Sequence, residues 1–154
     1  MNLFIKQTSS LRAIDEDWLN LYQDYYFFDN RVVKVLDYKD NKLYLEKIDG
    51  FALNDFESYD KLDWKEKKFI LSEIVDIYWN YLHFKSHRLR KNEFFCHTDF
   101  YLRNLIYSNK KLRLIDPDSF MVCNYTTTTL QNSNSGKFMQ SFNILQLLMS
   151  KDKK

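Results

Sequence analysis

Four residues in one short stretch have the types and spacing to do chemistry together: His97, Asp99, Asn104 and Asp116. They lie in FFCHTDFYLRNLIYSNKKLRLIDPDSF, residues 94–120. The pattern is His-x-Asp, an Asn five positions after that Asp, and a second Asp preceded by Ile. A loop carboxylate beside an acceptor hydroxyl can take its proton. An Asn five residues on can reach round to a metal ion. A hairpin then returns the chain, so that the second Asp approaches the same ion from the other side. Magnesium takes oxygen ligands and keeps some of its waters, so one Asp and one Asn are enough protein donors if a substrate supplies the rest.

Such a site needs elements to hold it. Phe94, Phe95 and Cys96 read as a short buried piece leading into the loop, and residues 104–107 and 111–115 as two short strands around Ser108-Asn109-Lys110. Upstream, Asp63 and Glu66 have capping-box spacing. Ile70, Ile74, Ile77, Tyr81 and Phe84 then mark one face of a helix over 64–84. Residues 31–38 and 42–48 form a hairpin about Asp40-Asn41, with a polar connection from Gly50 to Asp63. Leu11, Ile14, Trp18, Leu21 and Tyr25 predict a helix over 11–28, and residues 3–7 a strand before it. Residues 121–136, with four consecutive Thr at 126–129, read as a loop. Phe138, Phe142, Leu145 and Met149 predict a last helix ahead of a charged end.

Composition excludes several classes. The 154 residues allow one domain, 1–154. Lys and Arg total 23 against 21 Asp and Glu, a net charge of +2, which gives no basic footprint for nucleic acid. Aromatics make up 18%, far from a disordered composition. There are only two Gly, Gly50 and Gly136, so neither a Rossmann fingerprint nor a P-loop can be written in this chain. The segment Asn134-Ser135-Gly136-Lys137 is not a P-loop either. Cys96 and Cys123 read as free thiols in a reduced compartment. No apolar run approaches the ~20 residues of a membrane span, and the first eleven residues lack the apolar block of a signal peptide. The expectation is a cytoplasmic protein. The Lys, Asn, Tyr and Ile richness points to an AT-rich, viral source.

The motif of residues 97–116 resembles the catalytic loop and metal-binding Asp of kinase-like phosphotransferases. Upstream, Val35-Leu36-Asp37-Tyr38 and Leu43-Tyr44-Leu45-Glu46-Lys47-Ile48-Asp49-Gly50-Phe51-Ala52-Leu53 resemble the strand and hinge of the aminoglycoside phosphotransferase and choline kinase group. The resemblance covers roughly residues 3–120. It implies an α+β, protein-kinase-like fold with a small truncated N-lobe sheet and one helix (1–48). A mainly helical C-lobe (49–154) would carry the catalytic-loop hairpin. It implies an ATP- and Mg-dependent phosphotransferase acting on a hydroxyl acceptor. Asp99 is then the base, with Asn104 and Asp116 as catalytic metal ligands and Asp118 as a further acidic ligand. The hinge backbone of Glu46, Lys47 and Ile48 would receive adenine. Lys6 would steady the phosphates, with Glu16 as its helix partner.

The chain departs from that group in having no Gly-rich loop over the phosphates and a short region after Asp116. Two alternatives follow. One is a pseudokinase that binds or regulates without catalysis. The other is a homodimer in which a partner completes the exposed N-lobe sheet edge at residues 3–7 and 31–48.

Other residues have plainer readings. His97 is expected to be an architectural hydrogen-bonder, and His83 and His87 surface histidines. Cys96 is expected to be a buried, inert thiol, and the basic stretch 85–91 a solvated face. Lys6 reads equally as a surface lysine or a phosphate ligand.

Overall fold

The computed structural model describes residues 3–8 and 14–124, together with positions 143 and 146. Of the expected loop at 121–136, residues 121–124 are instead strand, paired with residues 93–96, and the rest, with its Thr run, lies outside the described residues. So do most of the expected helix at 138–149 and residues 11–13 of the first predicted helix. The architecture is mixed α and β. Three small antiparallel sheets are joined to three helices.

Strands β1 (Leu3–Gln7), β2 (Val35–Lys39) and β3 (Lys42–Glu46) form the first sheet, in the order β1-β3-β2. The β2–β3 turn places Asp40 and Asn41 at φ 54° and 58°. Both central residues of a tight hairpin need positive φ, and Asp and Asn tolerate it better than other non-Gly residues. β1 is an edge strand, paired only with β3, and Leu3, Phe4 and Ile5 are exposed along it.

Helix α1 (Glu16–Phe28) starts later than the apolar spacing predicts, because Asp15 caps it and accepts from the Trp18 N–H. Tyr22 and Tyr25 bury its inner face, and the Tyr22 hydroxyl donates to the Val33 carbonyl at 2.5 Å. The chain leaves α1 through Arg31, whose guanidinium holds Asp29 at 2.8 Å and Asp76 at 2.9 Å and also pairs with Glu73. Residues 31–33, expected in the strand of the hairpin, leave the first sheet instead. Val32 bridges Leu114, and Val33 N donates to Leu114 O at 2.9 Å. The backbone of residues 31–33 is thus bonded to the hairpin around Ser108-Asn109-Lys110, while Lys34 stays bonded to Glu46 of the first sheet.

The polar connection contains two short elements that its composition hides, β4 (Phe51–Ala52) and α2 (Phe56–Asp60). Gly50 opens this segment. A Cβ there would stand 2.2 Å from the Tyr107 carbonyl oxygen, so only glycine permits the approach. Helix α3 (Trp64–His83) begins with the expected capping box. Asp63 accepts from the Glu66 N–H at 2.8 Å, and Glu66 accepts from the Asp63 N–H at 3.4 Å. Ile70, Ile74 and Ile77 are fully buried on its inner face. They pack with Phe95, Phe100, Leu105 and Phe120 in the main core.

After the exposed basic stretch come β5 (Glu93–His97), β6 (Leu105–Ser108), β7 (Lys111–Leu114) and β8 (Phe120–Asn124). β4, β6 and β7 form one sheet, and β5 and β8 another. Within the described part of 49–124 the long helix α3 is thus accompanied by five short strands. The expectation of a mainly helical lower lobe holds there for its longest element only. Among the described residues, no helix is long and apolar enough to cross a membrane.

Candidate active site

The loop of the His-x-Asp motif begins where β5 ends. His97 is fully buried and uses both ring nitrogens. Nε2 lies 2.9 Å from the Ile115 carbonyl oxygen, and Nδ1 is approached by the Asp99 N–H at 3.1 Å. Because Nδ1 accepts, the proton sits on Nε2, and the ring is neutral. Burial pulls its pKa down to about 4, against the smaller raising effects of Ile115, Asp99 and Asp118. The histidine is therefore an architectural pin, as expected. One residue on, the Thr98 N–H and hydroxyl both reach the Ser119 carbonyl, at 2.8 and 2.7 Å. Two successive residues thus stitch the loop at 97–99 to the segment at 115–119.

Asn104 closes the loop from its other end. Its Nδ2 donates to the Asp99 main-chain carbonyl at 2.8 Å and to Asp99 Oδ2 at 2.9 Å. Both acceptors are oxygens, which fixes the orientation of the amide. The Asn104 carbonyl accepts from the Ile115 N–H at 2.8 Å. Arg103, which the sequence reading did not single out, pairs with Asp99 Oδ2 at 2.6 Å from an exposed position. Its signal was only a basic residue four positions after the candidate base.

Asp116 occupies the left-handed region, φ 65° and ψ 59°, immediately before Pro117. That conformation is uncommon for a residue with a side chain, and it turns the Asp116 carboxylate toward the upper sheet. Ser119 donates to its Oδ2 at 2.5 Å. Lys6 of β1 ion-pairs with Asp116 Oδ1 and, at 2.6 Å, with Asp118 Oδ1. Glu16, expected as the partner of Lys6, stands exposed in the first turn of α1, and the carboxylates that hold Lys6 are Asp116 and Asp118.

These groups face a cavity of about 360 Å³ lined by Phe4, Lys6, Val33, Leu45, the segment Glu46, Lys47 and Ile48, Asn104, Ile106, Ile115 and Asp116. Six of the residues expected in the site line it together. Its apolar walls come from two layers: Phe4, Val33 and Leu45 from the upper part, Ile106 and Ile115 from the hairpin below. Sequence reasoning did not name these walls as such, since four are ordinary buried or half-buried apolar residues of their elements and Phe4 is an exposed residue of an edge strand. The Glu46 carboxylate is engaged elsewhere. It accepts from the Lys34 N–H at 2.9 Å and pairs with Arg113 of β7. Arg113 thereby braces the end of β3 against the hairpin. Among the described residues, the main chain of Lys47 and Ile48 has no hydrogen-bond partner, and both residues line the cavity.

The remaining sequence expectations are simply placed. His87 is exposed, and His83 stacks on Trp79. Cys96 and Cys123 are buried free thiols. A hydrogen bond between them, then burial, push the Cys96 thiol pKa up, so neither is activated. Among the described residues, no group of three or more His, Cys, Asp or Glu side chains could hold a metal ion by itself.

No family model matches this chain, and no curated protein does. Among solved structures, the chain is similar to an aminoglycoside phosphotransferase in the streptomycin–ATP–APH(2″)-IIa ternary complex. The identity is 14% and the TM-score 0.42, over 97% of this chain and 76% of that one.

Proposed function

We propose that the chain is a kinase-like phosphotransferase that moves the γ-phosphoryl group of ATP to a hydroxyl acceptor. The observation that carries the reading is the cavity itself. It combines the main chain of Lys47 and Ile48, which has no partner among the described residues, apolar walls from both layers, and Lys6, Asn104 and Asp116, with Asp99 bonded to Asn104. An adenine ring needs apolar faces and a main-chain edge. A triphosphate needs a cation and hard oxygen donors that hold a metal.

Lys47 and Ile48 would take the adenine edge, with Val33 and Leu45 against one face of the ring and Ile106 and Ile115 against the other. Lys6 would contact phosphate oxygens. Asn104, Asp116 and Asp118 would hold Mg²⁺. The donor set fits a hard cation, because one ammonium already reaches both carboxylates. Bound there, the ion would supply neutralisation of phosphate charge. Asp99 orients the acceptor hydroxyl and takes its proton as the oxygen attacks the γ-phosphorus and ADP departs. Its Oδ2 is held by Asn104 and Arg103, which fix the orientation of the carboxylate.

The test is ATP consumption with magnesium by the wild type and by Asp99→Asn, with and without a pool of small-molecule hydroxyl acceptors. Turnover that falls by about 10²–10⁴ in the variant is expected. Equal turnover in both proteins would refute the role of Asp99. Nucleotide binding without turnover under any acceptor would favour the pseudokinase alternative.

A further inference from the structure

We propose that Lys6 is the resting occupant of the metal site, so that a divalent cation reaches Asp116 and Asp118 only when Lys6 is drawn away. The inference rests on the phosphotransferase reading solely for what draws it away, the phosphates of the nucleotide.

The geometry is that of a stand-in ion. The Lys6 ammonium bridges Oδ1 of Asp116 and Oδ1 of Asp118. Asp118 is nearly buried, at 9% exposure, and Asp116 is mostly covered. The second oxygen of Asp116 is taken by the Ser119 hydroxyl. A divalent ion would therefore compete for the same oxygens rather than bind beside the lysine. The charge balance points the same way. Two carboxylates and one ammonium leave a net charge of about −1, a weak attraction for a strongly hydrated dication that sheds water reluctantly. Without Lys6 the same oxygens carry about −2.

Lys6 is also placed to leave. It sits on an edge strand held from one side only, and it lines the cavity that the phosphates would enter. Phosphate oxygens offer the ammonium a new partner at the moment the carboxylates gain a metal. Metal and nucleotide then each raise the other's affinity, as reciprocal linkage requires. The site consequently takes the metal–nucleotide complex as a unit, not the metal first.

The experiment measures Mn²⁺ binding to the nucleotide-free protein, by loss of the free-ion paramagnetic resonance signal, for wild type, Lys6→Met and Lys6→Arg. Lys6→Met is expected to bind Mn²⁺ at least about tenfold more tightly than wild type, and Lys6→Arg to stay within a fewfold of it. Equal affinity in wild type and Lys6→Met overturns the proposal, as does Lys6→Arg behaving like Lys6→Met. A second measurement needs no variant: the acylation rate of each lysine of the wild type, with and without saturating Mn²⁺. Lys6 is expected to become several-fold more reactive while other lysines do not change, and an unchanged rate at Lys6 overturns the proposal. Neither measurement contains an acceptor or counts turnover. An absent phosphotransferase activity would leave the exchange standing, and a working enzyme with equal affinities would sink the exchange alone.

Discussion

The Asn104 side-chain amide donates to Asp99 twice, to its main-chain carbonyl and to its carboxylate, at 2.8 and 2.9 Å. The residue expected to face a metal is therefore also the one that fixes the candidate base. Asn104→Ala removes both functions. Turnover is expected to drop by about a hundredfold or more, with a further loss of magnesium dependence. Asn104→Asp retains an oxygen ligand but places a second carboxylate against Asp99, so it should not rescue. Steady-state kinetics across a magnesium series distinguishes the two variants.

His97 makes folding pH-dependent in a defined window. Its folded pKa of about 4 lies below the ordinary 6.5, so the native state holds the neutral ring while the unfolded chain binds the proton. Its contribution is thus fully present above pH ~6.5 and is lost as the pH falls through about 4, roughly 3 kcal/mol over that span. Urea unfolding at several pH values should show stability falling through this range. In His97→Phe the slope should be shallower, from a lower starting stability at neutral pH. An unchanged slope would show that other groups set the acid limit.

Gly50 sits where hinge and hairpin touch, with the Ser108 hydroxyl donating to the neighbouring Asp49 carbonyl. Gly50→Ala drives a methyl into the Tyr107 carbonyl, which cannot move without disturbing β6. A loss of about 1–3 kcal/mol is expected in denaturant unfolding. A weaker nucleotide affinity should accompany it, since the main chain of Ile48 is displaced too.

Lys110 offers the opposite sign. It holds φ 61° in the β6–β7 turn, beside Asn109 at φ 49°. Lysine has no special tolerance for the left-handed region, whereas glycine enters it freely. Lys110→Gly is expected to stabilise the protein by up to about 1 kcal/mol, read as a raised thermal midpoint.

The sequence was most legible where local chemistry decides structure. The capping box at Asp63 and Glu66, the isoleucine face of α3 and the two hairpin turns are all set by residues close together in the chain. The spacing of His97, Asp99, Asn104 and Asp116 likewise led to residues that the folded chain brings together. Non-local partners were not legible. Residues 31–33 have strand-like composition, yet their hydrogen bonds go to β7, about eighty residues away in the chain. Glu16 is near Lys6 in sequence, but the edge strand delivers Lys6 to carboxylates at 116 and 118. The start of α1 was misjudged because apolar periodicity continues past the position where Asp15 supplies a cap. The short elements β4 and α2 fell below the length at which periodicity speaks.

Trp18 links α1 to the segment after Asp116: its indole N–H donates to the Phe120 carbonyl at 2.8 Å, and its ring stacks on Tyr22. Trp64 and Trp79 stand out in solvent on α3. The three indoles therefore give the protein a built-in optical reporter. An aqueous quencher such as iodide silences the two exposed ones first. The emission that survives comes from Trp18 and reads the polarity and hydrogen bonding one residue beyond Ser119. A change in the backbone around Phe120 can then be followed by light alone, without a label and without turnover.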